Sequence, residues 1–154
     1  MKNKIKIKRK WDFISKIITL LFILINVLIL VYVNLAIGVI LTVILIISSI
    51  YHPIYFVLDN DRFIIKYIFY KRIILLNNLT AYYVINNSNI SMTYSTKGVF
   101  GYLGKYMDDT ISISTSYTDN IALETNLKKI IISPIDSKYL IQSLNSYMKN
   151  ISYN

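Results

Sequence analysis

The chain has 154 residues, of which 55% are hydrophobic, with a mean hydropathy of +0.48 and a formal net charge of +9. This length corresponds to one domain with at most a small appendage. Cysteine is absent, which excludes a disulfide framework, a thiolate nucleophile and a cysteine-based metal site. No charged side chain lies between Lys16 and His52, and a chain this short cannot hide those 35 residues in a core, so lipid is their predicted environment.

The first segment, residues 1–12, is strongly basic and contains a single carboxylate, Asp12. Because it directly precedes the apolar stretch, the positive-inside rule predicts that it lies in the cytoplasm, where it can also attract anionic headgroups. A nucleic-acid-binding arm is the alternative for such a run. Its position beside a predicted membrane segment favours the topology signal, so we expect no nucleic-acid partner.

The next segment, residues 13–52, predicts a transmembrane hairpin of two helices at about 13–33 and 35–51, with Asn34 in the turn. A helix over 13–33 spans about 31 Å, the thickness of a bilayer core, whereas one uninterrupted helix over the whole stretch would extend roughly 57 Å. Two spans return the chain to its starting side. We therefore predict a multi-pass protein of the cell membrane with both termini in the cytoplasm.

Two polar residues of the hairpin fall at the same predicted depth. Asn26 lies eight residues before Asn34, and Thr42 lies eight residues after it. This symmetry predicts a hydrogen bond between the two helices through the Asn26 and Thr42 side chains. The alternatives are that Asn26 marks an oligomer contact or is merely tolerated, and the oligomeric state stays open.

Residues 53–154 predict a cytoplasmic β domain that ends in one helix at about 134–149. Ser133 suits the N-cap of this helix, Pro134 its first position, and Asp136 the third position after the cap. The predicted fold class is an α+β membrane protein, in which a transmembrane hairpin precedes a bent β-sheet or open barrel with one capping helix. Alternating apolar and polar residues and turn-type clusters place seven strands at 54–58, 62–68, 72–76, 80–85, 111–117, 121–125 and 128–132.

Two short motifs in this domain carry a family resemblance. Residues 94–106 read YSTKGVFGYLGKY, and residues 131–136 read IISPID, followed by Tyr139, Leu140 and Leu144. Together they resemble a bacterial pleckstrin-homology-like (PH-like) domain family over roughly residues 54–148. The resemblance implies a PH-like fold and a membrane-tethered binding role. It carries over no catalytic residue and no defined ligand.

The glycine–aromatic motif supplies the predicted binding site for lipid or a protein partner. Glycines can expose backbone N–H groups to a phosphate, and lysines can pair with it. The alternative is that the glycines permit turns, the aromatic rings pack or touch the membrane, and the cations are solvated. The predicted site comprises Lys97, Gly98, Phe100, Gly101, Tyr102, Gly104 and Lys105, joined by Lys66, Lys71 and Arg72 near the first β-hairpin.

No cluster in the sequence has the residue types and spacing of a catalytic or metal site. His52 is the single histidine, and Asp108 with Asp109 predicts a turn rather than a cation site. We therefore expect a protein that is not an enzyme and needs no cofactor. The leading hypothesis is a membrane-anchored PH-like module that contacts anionic lipid headgroups or a protein partner. The rival is a small accessory or immunity-type protein that acts on another membrane protein through its hairpin.

Overall fold

The computed structural model describes residues 4–59, 61–85, 92–97, 99–106, 109–116 and 118–151, and these residues form an α+β fold. The predicted class is confirmed at this level, with an apolar N-terminal helix and two β-sheets. The elements are β1 (Ile5–Lys8), α1 (Phe13–Leu28, extended by a π-helical turn at Ile29–Val33), α2 (Leu35–Ile50), β2 (Tyr55–Asp59), β3 (Arg62–Lys66), β4 (Lys71–Leu75), β5 (Leu79–Ile85), β6 (Met92–Lys97), β7 (Tyr102–Tyr106), β8 (Ile111–Ser114), β9 (Asn120–Thr125), β10 (Lys129–Ile132) and α3 (Ser137–Ile151).

The two apolar helices, α1 and α2, are separated by a single residue. Asn34 ends the π-helical turn and caps α2, because its side-chain oxygen accepts hydrogen bonds from the N–H groups of Ala36 and Ile37 at 2.9 and 3.2 Å. Within the described part of the chain, Phe13–Val33 is the one helix that is long and apolar enough to cross a membrane, judged by length and composition. The second helix, Leu35–Ile50, is apolar but shorter.

These two helices pack against each other, and we refer to them as the helix pair. A side chain at Gly38 would place its Cβ 2.4 Å from Cγ of Leu30, so glycine permits the close approach beside the turn. Further along, Asn26 Nδ2 donates to Thr42 Oγ1 at 2.8 Å, the contact that the symmetric spacing predicts. Thr42 Oγ1 in turn donates to the carbonyl oxygen of Gly38 at 2.9 Å.

The first sheet has the order β1-β2-β3-β4 and is antiparallel throughout. Its edge strand β1 lies in the basic N-terminal segment and was not predicted. Ile7 is buried opposite Phe56 of β2, whereas Lys8 on the other face is exposed. The alternation of Ile and Lys is therefore a period-two strand pattern, which the high lysine content conceals.

The second sheet has the order β5-β9-β10-β8-β7-β6, with a parallel pair between β10 and β8. The glycine–aromatic motif supplies most of β6 and all of β7, which pair as an antiparallel hairpin. Gly104 pairs with Ser95 and Ser112 inside this sheet. The polar loop predicted at 86–91 lies outside the described residues.

The start predicted for the C-terminal helix is wrong. The helix begins at Ser137, and Asp136 caps it by accepting a hydrogen bond from Tyr139 N–H at 2.9 Å. Ser133 does not cap the helix. Its carbonyl oxygen accepts a hydrogen bond from Lys10 N–H at 2.7 Å, and its hydroxyl oxygen accepts one from Thr115 N–H at 2.7 Å. The N-terminal segment thus keeps residues 133–135 extended and delays the helix.

Helix α3 covers one common core built by both sheets. Leu140 and Leu144 of α3 are fully buried in it. Burying apolar side chains from the sheets and the helix in one cluster supplies the main stabilisation of the domain. The most buried sheet residues of this core are Phe56, Leu58, Phe63, Ile65, Ile121, Leu123 and Ile132, and Leu76 joins them from the turn between β4 and β5.

Candidate functional site

A cleft of about 670 Å³ opens where the end of α2 meets both sheets. We call it the basic cleft. Ile47, Ser48 and Tyr51 form its wall on the helix side. The remaining wall comes from both sheets and comprises Tyr67, Tyr70, Arg72, Leu103, Gly104, Lys105, Ile111, Ser112 and Ile113. An apolar interior with a few polar groups is the usual composition of a small-molecule site.

Two cations, Arg72 and Lys105, give the cleft its charge. Arg72 lies on β4 of the first sheet, and Lys105 lies on β7 of the second. Lys105 forms an ion pair with exposed Asp109, whereas no ion pair to Arg72 occurs among the described residues. Two positive groups in the lining of one cleft favour binding of an anionic group there.

A turn at residues 67–70, which we call the tyrosine turn, borders the same cleft. Tyr67 N–H donates to the carbonyl oxygen of Tyr70 at 2.9 Å, and the two rings stack with centroids 4.2 Å apart. Burial, with the neighbouring Tyr70 second, raises the pKa of the Tyr67 hydroxyl, so this group stays a neutral hydrogen-bond donor. Between the tyrosines, Ile68 and Phe69 are exposed, Phe69 to 77%.

The structure brings together only part of the predicted binding site. Arg72, Gly104 and Lys105 line the basic cleft. Lys66 and Lys71 pair with each other across β3 and β4 at the base of the tyrosine turn, outside the cleft. Tyr102 does not line the cleft either and pairs with Ser114 of β8 and with Lys97 of β6, whose side chain is not among the described parts. Gly98 lies outside the described residues.

The remaining predicted residues, Phe100 and Gly101, hold the turn between β6 and β7 against the helix pair. We call residues 99–101 the docked turn. Phe100 N–H donates to Thr19 Oγ1 of α1 at 2.7 Å. Gly101 has a φ of +132°, and a Cβ there would lie 2.7 Å from the carbonyl oxygen of Ser114. This glycine serves backbone geometry, as the alternative interpretation of the motif expected.

His52 is buried beside the docked turn. It is 3% exposed, and its ring centroid lies 5.5 Å from that of Phe100. Burial first, and the positive charge of Arg9 second, lower the pKa of His52 to about 3, so the ring is neutral near pH 7. No group of three His, Cys, Asp or Glu side chains suited to a metal occurs in the described part of the chain.

Sequence reasoning missed the tyrosines and the helix residues of the cleft. The run Tyr67-Ile68-Phe69-Tyr70 between two short strands is a usable signal, because it concentrates aromatic side chains at a turn, where polar residues and glycine are usual. Ile47, Ser48 and Tyr51 carry no comparable signal. Their place in the wall follows from how α2 meets the sheets.

Protein-family models, curated proteins and solved structures were compared with the chain, and none matches it. The features that bear on function are therefore the basic cleft and the helix pair.

Proposed function

We propose that this protein is anchored in a membrane by its helix pair and binds an anionic lipid in the basic cleft. The carrying observation is that Ile47 and Ser48, at the end of an apolar helix, share one cleft with Arg72 and Lys105. An anionic amphiphile needs this combination of an apolar wall next to cations. The protein acts by binding and positioning, without chemistry of its own.

Exposed apolar side chains support the membrane anchor. Leu20, Tyr32 and Leu35 are 67%, 80% and 70% exposed, and most other large residues of the helix pair are exposed as well. An apolar surface of this extent requires a cover, which lipid provides. At about 1.5 Å per residue, Phe13–Val33 reaches about 31 Å, and the shorter α2 is accommodated by local thinning of the bilayer.

The position of β1 supports a two-span topology with both ends on one side. Strand β1 precedes α1, and its partner β2 follows α2, so both ends of the helix pair join the same sheet. The basic residues around β1 then favour the cytoplasmic side by the positive-inside rule. This arrangement sets the basic cleft at the level of the inner headgroups.

The composition of the tyrosine turn also supports a position at the level of the inner headgroups. Ile68 and Phe69 are exposed at its tip, Lys66 and Lys71 flank its base, and Tyr51 stands at the end of α2. Aromatic residues and lysines favour the interface between hydrocarbon and water. The turn can therefore insert its apolar tip at this interface.

The PH-like fold is part of this proposal. It is supported by strands that precede a single C-terminal helix whose Leu140 and Leu144 enter the sheet core. The chain differs from the expected seven strands by the added strand β1 and by the hairpin of β6 and β7.

A second candidate is an accessory or immunity-type protein whose helix pair docks on another membrane protein. The exposed apolar surface of the helix pair favours it, because a partner helix covers such a surface as well as lipid does. Crosslinking of the full-length chain in its native membrane distinguishes the two. A discrete protein adduct through exposed positions such as Leu20 supports docking, and lipid adducts alone count against it.

Lipid selectivity of the full-length protein tests the leading proposal. We expect purified protein in mixed nanodiscs to retain phosphatidylglycerol over phosphatidylcholine, measured by native mass spectrometry. The double variant R72Q/K105Q should lower this preference roughly tenfold, at about 1 kcal/mol or less per cation. The matched control K66Q/K71Q removes the same charge outside the cleft. It should change the preference for phosphatidylglycerol less than about threefold.

Two outcomes would contradict the proposal. One is an absence of preference in the wild-type protein. The other is an equal loss in both double variants, which would indicate general surface attraction rather than the cleft. Unchanged thermal melting of both variants establishes that any loss does not come from unfolding.

A further inference from the structure

A second cavity, of about 260 Å³, lies between the two helices, and we call it the helix groove. On α2 it is lined by Leu41, Ile44, Leu45 and Ser48, which recur at the spacing of one helix face. The opposite wall and the end are formed by Phe22, Ile25 and Asn26 of α1 and by Val99 of the docked turn.

The helix groove and the basic cleft share one lining residue, Ser48. The lining of the basic cleft includes Arg72 and Lys105. The lining of the helix groove is apolar apart from Ser48 and Asn26, whose amide nitrogen donates to Thr42. A lining with cations and an apolar lining therefore adjoin one serine, as the phosphate and the acyl chains adjoin each other in a phospholipid.

The dimensions of the helix groove decide what fits in it. From Ser48 to Leu41 the groove follows α2 over seven residues, about 10 Å along the axis. A volume of about 260 Å³ is well below that of a helix segment of this length, which with its side chains is about 10–12 Å wide. It suits a single hydrocarbon chain.

We infer that the helix groove holds one acyl chain of the anionic lipid whose headgroup lies in the basic cleft. This inference rests on the function proposed above and names the ligand class as a diacyl anionic phospholipid. The second chain remains among the surrounding lipids. The docked turn borders the groove, because Val99 is one of its lining residues and the bond from Phe100 N–H to Thr19 holds the turn in place.

Photocrosslinking in nanodiscs tests the inference. The probes are phosphatidylglycerol and phosphatidylcholine, each with a diazirine in the middle of one acyl chain, and crosslinked residues are mapped by mass spectrometry. We expect the phosphatidylglycerol probe to label Ile44 and Leu45 several times more than Ile46, which lies about 200° around α2 from Ile44 and lines neither the groove nor the cleft. The phosphatidylcholine probe should label both faces evenly.

Two variants distinguish binding of the acyl chain in the helix groove from binding of the headgroup in the basic cleft. Ile44→Trp fills the helix groove and should abolish the selective labelling while the preference for phosphatidylglycerol remains. Ile46→Trp adds the same ring on the outer face and should change neither result. Excess glycerol phosphate should displace the probe only weakly, and efficient displacement would mean that a free phosphate, rather than a whole lipid, is the ligand.

The outcomes distinguish failure of the inference from failure of the proposed function. Even labelling of both faces with an intact headgroup preference overturns the inference and leaves the proposed function standing. Equal groove labelling by both probes also overturns it, because the chain would then enter independently of the cleft. Loss of both the preference and the selective labelling overturns both proposals.

Discussion

The tyrosine turn and the docked turn are both β-hairpin turns beside the helix pair, but they meet it in different ways. The docked turn is fixed by a hydrogen bond from Phe100 to Thr19 and by the backbone of Gly101. The tyrosine turn stacks its two rings and leaves Phe69 exposed at its tip. The glycine motif therefore has two parts, because Gly101 serves backbone geometry in the docked turn while Gly104 and Lys105 line the basic cleft.

The largest effect should come from the docked turn. Gly101→Ala places a Cβ 2.7 Å from the carbonyl oxygen of Ser114 at a φ of +132°, which L residues rarely adopt. We expect a loss of about 3 kcal/mol in unfolding free energy from overpacking and backbone strain together. Thermal melting in detergent measures it. Phe69→Ala in the tyrosine turn is the comparison and should stay within about 0.5 kcal/mol.

The stability of the protein should also depend on pH through His52, which packs beside the docked turn. The folded pKa of about 3 lies below the ordinary value of 6.5, so the unfolded chain binds the proton more tightly. The stability contributed by the neutral His52 ring is therefore fully present above about pH 6.5 and is lost as the pH drops towards 3. We expect a loss of about 2 kcal/mol between pH 7 and pH 5.

The control for this prediction is His52→Phe, which keeps a ring beside Phe100 and removes the titration. Its melting temperature should fall less steeply with acid than that of the wild-type protein. Parallel curves for the two proteins would show that the pH dependence arises elsewhere.

A smaller effect should follow from loosening the docked turn without adding strain. Thr19→Val keeps the side-chain shape and removes the acceptor of the Phe100 N–H group. We expect a loss of about 1–2 kcal/mol, because a partly buried donor is left unpaired. Thr42→Val is the comparison within the helix pair, where removing the bond to Asn26 should cost only about 0.6 kcal/mol. The reverse order would place the stronger coupling within the helix pair.

Local patterns explain which parts of the fold were predictable from the sequence. The seven predicted strands correspond to β2–β5 and β8–β10, because each shows an apolar pattern bounded by turn residues. Strand β1 and the β6–β7 hairpin were missed, since lysines in one and glycines in the other conceal the alternation. The start of α3 was misplaced because Ser133 binds Thr115, a contact that no local pattern encodes.

The candidate site was predictable to a lesser degree than the fold. Arg72 and Lys105 were singled out as cations, but they meet only because β4 and β7 of different sheets face the same cleft. The helix wall with Ser48 depends on how α2 joins the sheets, which sequence spacing does not fix. Tertiary packing, rather than any motif, therefore creates this site.

The smallest effect on stability, and the sharpest test of how the two turns differ, concerns the tip of the tyrosine turn. Phe69→Trp in a Trp11→Phe background places a single fluorophore at the exposed tip. If the tip inserts at the interface, the emission shifts to the blue and brominated lipid chains quench it, because indole favours that depth. Emission typical of water, with no quenching, would place the turn away from the membrane and leave the docked turn as the only one of the two with a supported contact to the helix pair.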